Sequence, residues 1–184
     1  MKPSASQIRI ERVAEADLPR VRKLAGQIWR SCYAELLSEG QIEYMLEWMY
    51  SPERLRQDFR SGVVFDWPIA DEAPVGYMAT QIDRSARVPH LHKLYVLPRH
   101  HRQGFGSGLL NQAFRAARDS GCLCVRLNVN KGNHPAIALY RRHGFVVEAS
   151  VVNDIGGGYV MDDYVMARPL PMCTSGGALG GPIS

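Results

Sequence analysis

The sequence is poor in cysteine and has no C-x-x-C pair. Its 184 residues include 4 cysteines, Cys32, Cys122, Cys124 and Cys173. Two of them, Cys122 and Cys124, alternate along one predicted strand, a geometry that disfavours a disulfide between them. The spacing argues against a disulfide framework and a zinc ribbon, and we expect no metal in this chain.

Long apolar runs are also missing. The first residues, MKPSASQIRIERV, contain no apolar signal-peptide core, and no stretch approaches the roughly 20 apolar residues of a membrane span. No basic helix carries interleaved base-reading residues, which argues against a nucleic-acid partner. We therefore expect a reduced, cytoplasmic protein with neither a membrane nor a nucleic-acid partner.

The composition is that of an ordinary globular chain. Hydrophobic residues make up 46% and charged residues 22%. A chain of this length can bury roughly 70% of its unfolded surface, enough for one self-sufficient core. Residues 169–184 are rich in Pro, Gly and Ser and have no periodic apolar face. We expect one domain over residues 1–170 and a flexible tail over residues 171–184.

Hydrophobic periodicity predicts alternating helices and strands. Asp17, Ser38 and Ser51 are the expected N-caps of three helices, and Gln41 completes a capping box with Ser38. Further helices are expected after the glycines at 104–108 and over 135–142. The predicted strands are 7–13, 63–70, 75–82, 91–97, 122–129, 145–152 and 159–167. This order indicates a mixed α/β fold with helices on both faces of the sheet.

The mild net charge of +4 hides two unlike parts. Residues 84–143 contain 11 Lys and Arg, all six histidines and a single acid, Asp119, so this block carries +10. The rest of the chain carries −6. A basic block of this kind fits an anionic ligand, and the acidic remainder fits a cationic one.

A glycine-rich turn lies inside the basic block. Residues 98–109 read PRHHRQGFGSGL and join a predicted strand to a predicted helix. Closely spaced glycines at a helix start let backbone N–H groups point at an anion. The P-loop ending Gly-Lys-Ser/Thr is absent, and Leu109 stands where a dinucleotide fingerprint needs glycine or alanine. A tight turn without any ligand remains the alternative at this point.

A second pattern follows about 25 residues later, N-H-P-A-I-A-L-Y-R-R-H-G-F over residues 133–145. Asn133 is suited to cap the helix and to offer an amide to a ligand. Tyr140 lies two helical turns further on, so both side chains project to a similar side. Gly144 suits the left-handed position that ends a helix. The alternative for Tyr140 is a core aromatic whose hydroxyl is satisfied inside the protein.

Together the two patterns resemble the GNAT superfamily of acyl-CoA-dependent N-acyltransferases. The resemblance rests on Val96-x-Pro98, the Gly104-x-Gly106 turn, and Asn133-x-x-Ala136-x-x-x-Tyr140-x-x-x-Gly144-Phe145, in this order. It runs through the predicted elements over about residues 7 to 170. The family's signature has Arg or Gln three residues before the first glycine, where this chain has His101.

The resemblance implies a mostly antiparallel sheet in which two parallel strands, 91–97 and 122–129, splay apart around acetyl-CoA. It places the pantetheine arm along Leu94 and Val96 and against Asn133 and Ala136. Tyr140 would face the sulfur as general acid. The pyrophosphate would lie on the turn, and its expected residues are His101, Arg102, Gln103, Gly104, Phe105, Gly106 and Ser107.

A general base is expected on the first of these two strands. His90 and His92 share parity with Leu94 and Val96, which predicts that all four face one side of the sheet. Imidazole titrates near neutral pH and suits proton removal from an amine. Packing or solvent exposure of either histidine, or a bound water as the base, remain alternatives.

The expected reaction is transfer of an acetyl group to a primary amine, by direct attack in a ternary complex. Glu39, Glu43 and Glu47 form a helical stripe that either faces solvent or attracts a cationic small-molecule acceptor. Asp162 and Asp163 alternate, so only one of them can face the ligand side. The alternatives are acetylation of protein N-termini or lysines, and a non-catalytic acyl-CoA sensor. The resemblance also admits a homodimer.

Overall fold

The computed structural model describes residues 8–83 and 88–170. The expected tail, 171–184, and Cys173 lie outside the described residues. The helices are α1 (Leu18–Cys32), α2 (Glu39–Tyr50), α3 (Pro52–Arg60), α4 (Phe105–Asp119) and α5 (His134–Arg142). The strands are β1 (Arg9–Arg12), β2 (Val64–Ala70), β3 (Ala73–Pro74), β4 (Gly76–Asp83), β5 (Val88–Val96), β6 (Cys124–Asn130), β7 (Val146–Gly156) and β8 (Tyr159–Pro169).

One mixed sheet organises these elements. Its strands run in the order β1-β2-β4-β5-β6-β8-β7, and β3 pairs with β2 at one side. The pair β5–β6 is parallel, and the other neighbours along this path are antiparallel. The expected mixed, mostly antiparallel fold with one parallel pair is therefore confirmed.

Two hydrophobic clusters cover the sheet. The first joins buried side chains of α1, α2 and α3, such as Ile28, Met45 and Leu55, to Phe65 and Tyr77 of the strands. The second joins α4 and α5 to β5, β6 and β8. Because each helix buries one apolar stripe, the two sets of helices form the two layers around the sheet. Helices on both sides of the sheet are thus confirmed.

Local capping explains where most helices begin. Ser38 Oγ accepts a hydrogen bond from Gln41 N at 3.2 Å, and Ser51 Oγ accepts one from Arg54 N at 3.4 Å. Asp17 is the N-cap residue of α1, as expected, but its side chain makes no capping hydrogen bond. Its carboxylate pairs instead with Arg20, at 3.0 Å. A short 3₁₀ turn, Glu15–Asp17, leads into α1.

None of the helices in the described part of the chain is long and apolar enough to cross a membrane.

Candidate functional site

A cleft opens where β5 and β6 part. The two strands pair at His90 with Arg126 and at Leu91 with Leu127, and no further pairing follows among the described residues. The cleft beyond that point has a volume of about 520 Å³. Its walls come from β5 and β6, from α1, α2 and α5, and from the β7–β8 hairpin. Backbone groups that a paired neighbour would otherwise satisfy therefore line a space suited to an extended ligand.

The glycine-rich turn begins α4 beside this cleft. Gly104 is the N-cap and has φ +92°, a left-handed value that favours glycine. The backbone of Arg102 also has a positive φ, +60°, and its side chain is exposed. The backbone N–H groups of residues 102–107 donate no hydrogen bond to any described residue. The positive end of the helix dipole lies at the same place, so the turn can hold an anion.

The side chain of His101 faces the protein. Its Nε2 donates a hydrogen bond to the carbonyl oxygen of Val96 at 2.7 Å, and its backbone N–H bonds Pro98 O at 3.0 Å. Gln103 likewise donates from Nε2 to Arg99 O at 3.0 Å. The Val96 carbonyl, expected to pair with pantetheine, is thus already engaged. This leaves the backbone N–H groups of the turn, with the exposed Arg99 and Arg102, as the groups that face an anion.

Ser107 ties the turn to the second pattern. Its Oγ is hydrogen-bonded to His143 Nε2 at 2.9 Å, which joins the first turn of α4 to the end of α5. Gly106 permits this approach, because a Cβ there would lie 3.1 Å from Leu139 Cδ2. Gly144 has φ +81° and ends α5, as the sequence predicts. The two patterns therefore form one continuous surface.

Asn133 caps α5 and reaches across the cleft. Its Oδ1 accepts a hydrogen bond from Ala136 N at 3.2 Å, and its Nδ2 donates to the Tyr33 hydroxyl at 3.2 Å. An amide nitrogen carries a second N–H. For that N–H the described residues provide no acceptor. Both Asn133 and Ala136 line the cleft, so this N–H is placed to meet a ligand.

Tyr140 lines the same cleft and is 5% exposed. Burial raises the pKa of its phenol, and the nearby Tyr33 adds to the effect. Its ring packs edge-on against Phe145 at 5.6 Å, which fixes the side chain. No hydrogen-bond partner is found for the Tyr140 hydroxyl within residues 8–83 and 88–170. Tyr140 thus presents a protonated hydroxyl to the cleft at any pH near neutrality.

The expectation that His90 and His92 share a sheet face with Leu94 and Val96 is wrong. Lys93 pairs with Ala79 and Leu91 pairs with Thr80, so His92 is the additional residue of a β-bulge. The bulge reverses the alternation along β5. Leu91 rather than His90 accordingly packs in the same cluster as Leu94 and Val96.

Both histidines still line the cleft, with ring centroids 4.6 Å apart. Burial, followed by the nearby His90 and Lys93, lowers the pKa of His92 to about 4. Burial, followed by the charge of Arg126, lowers the pKa of His90. Both imidazoles are therefore neutral at pH 7, and His92 is a much weaker base than an ordinary histidine.

A buried ion pair supports this part of β5. Lys93 is 6% exposed, and its Nζ lies 3.3 Å from Asp58 Oδ2 and 5.4 Å from the centre of the Tyr50 ring. Burial lowers the pKa of Lys93, while Asp58 opposes that shift. Lys93 lines the cleft beside His92, and Asp58 balances its charge from behind. Sequence patterns did not reveal this ion pair, because Asp58 lies on α3.

The carboxylates of α2 do not face the cleft. Glu43 pairs with Arg30 at 2.7 Å and Glu47 pairs with Arg22 at 2.8 Å, and both arginines lie on α1. None of the three glutamates of the stripe lines the cleft. Of the two alternatives for this stripe, Glu43 and Glu47 agree with the solvent-facing one, because both are exposed and pair with arginines that hold α2 to α1.

Asp163 is the buried carboxylate that the structure brings to the cleft. It is 2% exposed and lines the cleft wall, whereas Asp162 forms an ion pair with Lys131. The pKa of Asp163 is raised to about 6, chiefly by burial and then by the nearby Asp162, while Lys131 opposes the shift. The aromatic side chains of Trp29, Tyr33 and Tyr95 line the same space. Of these residues, sequence reasoning singled out only the aspartate pair.

Tyr33 is the residue that sequence reasoning missed entirely. It follows α1, stacks on Trp29 with centroids 4.6 Å apart, and accepts the hydrogen bond from Asn133. Burial raises the pKa of Tyr33, and the charge of Asp163 also raises it. Tyr33 thus lies next to both Asn133, which is expected to contact the ligand, and the buried Asp163. No spacing pattern connects residues about 100 positions apart.

Comparisons with known proteins agree with this geometry. A model of the acetyltransferase (GNAT) family matches residues 24–145. A spermidine N(1)-acetyltransferase of Thermoplasma acidophilum is 29% identical over 146 residues, which cover 77% of this chain and 89% of that protein. An N-alpha-acetyltransferase of Saccharolobus solfataricus is 30% identical over 122 residues, which cover 59% of this chain and 71% of that protein.

A solved structure is similar over most of the chain. The crystal structure of the PaiA N-acetyltransferase of Thermoplasma acidophilum, in complex with coenzyme A, superposes with a TM-score of 0.74 at 25% identity. The match covers 89% of this chain and 99% of that one.

Proposed function

This chain belongs to the GNAT acetyltransferase family and is an N-acetyltransferase, and from that premise we propose that it transfers an acetyl group from acetyl-CoA to a small primary amine. The acceptor attacks directly, in a ternary complex, and Tyr140 is the general acid. The observation that carries the proposal is the cleft between β5 and β6, which has a buried, protonated tyrosine in its wall and a turn with free N–H groups close to the lining residue Leu94.

The residues of the cleft suit coenzyme A. The N–H groups of residues 102–107 have no acceptor in the described protein, and phosphate oxygens would satisfy them. Arg99 and Arg102 add charge beside them. Leu94, Asn133 and Ala136 line the cleft beyond the turn and would hold the pantetheine arm. The crystal structure of the PaiA relative contains coenzyme A, which supports this placement.

Each residue of the site has a defined task in the reaction. Acetyl-CoA supplies a thioester, whose sulfur leaves with a negative charge that a nearby donor stabilises. Tyr140 is that donor, because burial keeps its phenol protonated. Asn133 and Tyr33 fix the cleft wall around it. Trp29 and Tyr95 exclude water, so that amines rather than water reach the reacting carbon.

A cationic small molecule is the acceptor that the cleft fits best. A carboxylate and several aromatic faces line it, and both favour an ammonium group. The relative from Thermoplasma acidophilum is a spermidine acetyltransferase by name, which makes polyamines the first acceptors to test. The relative from Saccharolobus solfataricus acetylates alpha-amino groups by name, so peptide N-termini are the second candidate.

Turnover with a panel of acceptors tests the proposal. Purified protein with acetyl-CoA is given polyamines, aminoglycosides, amino acids or short peptides, and free thiol release is followed. We expect turnover with a small cationic amine that exceeds the rate with any peptide. Stabilisation by coenzyme A without turnover on any acceptor would identify a sensor instead. A protein that binds no coenzyme A would contradict the proposal completely.

Gly104→Ala is expected to weaken coenzyme A binding about tenfold or more. An alanine at φ +92° costs about 1 kcal/mol, and relaxation of the strained turn would turn the N–H groups away from the phosphates. Gly62→Ala is the matched control, because Gly62 has the same φ of +92° but open space around it and lies outside the cleft. Calorimetric titration with coenzyme A measures the effect. Equal affinity in the two variants would show that the turn does not hold the phosphates.

A further inference from the structure

A buried carboxylate without a partner faces the cleft. Asp163 is 2% exposed, and no donor in the described residues bonds its buried Oδ1 atom. It lies on β8, opposite Asn130 of β6 and Val151 of β7. A buried carboxylate oxygen normally has a hydrogen-bond donor, because its burial is otherwise strongly unfavourable. The Oδ1 atom of Asp163 is therefore placed to accept a hydrogen bond from a ligand in the cleft.

The neighbouring carboxylates of the sequence behave differently. Asp162 points away and forms an ion pair with Lys131, and its side chain is 52% exposed. Asp154 also lines the cleft, but its Oδ1 accepts a hydrogen bond from Gly156 N at 2.8 Å and so closes the β7–β8 turn. Asp163 alone of these three combines burial, a missing partner and a place in the cleft wall.

We propose that the Asp163 carboxylate receives the acceptor amine as an ammonium ion and removes the proton that blocks its attack. The inference rests on the proposed transferase function and names the chemical class of its acceptor, a primary amine that enters as a cation. The rings of Trp29, Tyr33 and Tyr95 line the same cleft as Asp163. Aromatic faces attract a cation but do not fix its position. The Asp163 carboxylate, which can accept hydrogen bonds from an ammonium group, therefore positions the amine.

The proton balance of the reaction assigns each step to one residue. A primary ammonium has three N–H bonds and the product amide has one. The first proton goes to Asp163, which frees the nitrogen lone pair to form the bond to the acetyl carbon. As the carbon–sulfur bond breaks, the Tyr140 phenol gives its proton to the sulfur. The second proton of the nitrogen restores the phenol, and Asp163 releases the first to solvent.

Asp163 is better suited to this step than the histidines of β5. The pKa of Asp163 is raised to about 6, and the pKa of His92 is lowered to about 4. Asp163 therefore binds a proton about a hundredfold more tightly than His92. Its charge also attracts the ammonium ion, which a neutral imidazole does not. The charged or titratable groups that line the cleft with Asp163 are Tyr33, His90, His92, Lys93, Tyr95, Tyr140 and Asp154, and Asp162 and Lys131 lie beside it.

Asp163→Asn tests the inference, because it keeps the shape and removes the charge. With the best amine of the acceptor panel, we expect kcat/KM for the amine to fall about a hundredfold or more. The Kd for coenzyme A and the KM for acetyl-CoA should change less than about twofold. Asp162→Asn is the matched control, since it removes the same charge one residue away and outside the cleft; its turnover at pH 8 should stay within about twofold.

The pH profile of the wild-type protein gives an independent result that needs no folded variant. At saturating acetyl-CoA, kcat/KM for the amine should fall as the pH drops through about 6, where Asp163 takes up a proton. An acid limb that disappears in His92→Gln would assign the base to the histidine and overturn the inference. The inference would also be overturned if Asp163→Asn kept a kcat/KM within threefold of wild type, or if Asp163→Asn lost coenzyme A binding. Absent turnover in the wild type would instead overturn the proposed function.

Discussion

Tyr140→Phe is expected to lower the turnover number by a factor of about 10² to 10⁴ and to leave the Kd for coenzyme A unchanged. Burial raises the pKa of the Tyr140 phenol, so this hydroxyl carries its proton throughout the working pH range. The departing thiolate needs a proton, and a thiol has a pKa of about 8.5, well below that of the buried phenol. Complete transfer of the phenol proton to a free thiolate is therefore uphill. Tyr140 acts as the hydrogen-bond donor that stabilises the sulfur while its negative charge develops, and the proton moves over as the nitrogen of the product returns its own proton to the phenol.

Tyr77→Phe is the control for this substitution. Tyr77 is also fully buried, and its hydroxyl donates to the Tyr50 hydroxyl at 2.7 Å, but neither side chain lines the cleft. The control should lose about 1 kcal/mol of stability and keep its turnover within about twofold. Steady-state thiol release, measured at saturating acetyl-CoA, separates the two variants. Unchanged turnover in Tyr140→Phe would mean that Tyr140 is a core aromatic and that another group protonates the sulfur.

Local features of the chain could be predicted from the sequence. Ser38 and Ser51 cap their helices through atoms three residues away, and Gly144 ends α5 through its own φ of +81°. Such features depend on contacts within one helical turn, so the pattern of residue types is sufficient. The order of helices and strands could be predicted from local hydrophobic periodicity in the same way. That order in turn predicted a mixed α/β fold.

Features that depend on strand pairing could not be predicted. The bulge at His92 arises where β5 meets Ala79 and Thr80 of β4, and nothing in the sequence of β5 marks it. Simple alternation therefore placed His90 and His92 on the wrong face. The choice between Asp162 and Asp163 was open for the same reason, because it depends on how β8 packs between β6 and β7.

The divided charge of the sequence has a partial counterpart in the structure. The basic block contains the turn of residues 98–107, with Arg99 and Arg102 beside unsatisfied N–H groups. The acidic remainder does not act as a broad attractive surface, because Glu43 and Glu47 are paired with arginines of α1. The charge that remains for a cation is concentrated in the buried Asp163. A net charge cannot reveal that difference, since paired and unpaired carboxylates count alike.

Asp163→Asn is also expected to raise the free energy of unfolding at pH 8 by about 2 kcal/mol. The pKa of this carboxyl is about 6 in the folded protein, above its usual value of 3.8. Between these values the folded protein binds the proton more tightly than the unfolded chain. Stability is therefore lost as the pH rises from about 4 to 6, by about 3 kcal/mol in all. Asparagine avoids this loss, although its own buried amide offsets part of the gain.

Urea unfolding of the wild type, Asp163→Asn and Asp162→Asn at pH 4 and pH 8 measures this linkage. The gain of Asp163→Asn should be present at pH 8 and absent at pH 4, where the wild-type carboxyl is protonated as well. Asp162→Asn should show no gain, because Asp162 is exposed and paired with Lys131. An equal effect of Asp163→Asn at both pH values would mean that packing, and not the buried charge, causes it.

A residue that destabilises the empty protein and serves the reaction should regain that free energy when its partner binds. The ammonium ion supplies the charge and the hydrogen-bond donors that Asp163 lacks in the folded chain. A cationic amine should therefore raise the melting temperature of the wild type at pH 8 and have much less effect on Asp163→Asn. The same substitution would then give higher stability, lower activity and a weaker response to the acceptor. If the Asp163 carboxylate is only a packing defect, Asp163→Asn would raise the stability without lowering the activity or weakening the response to the acceptor.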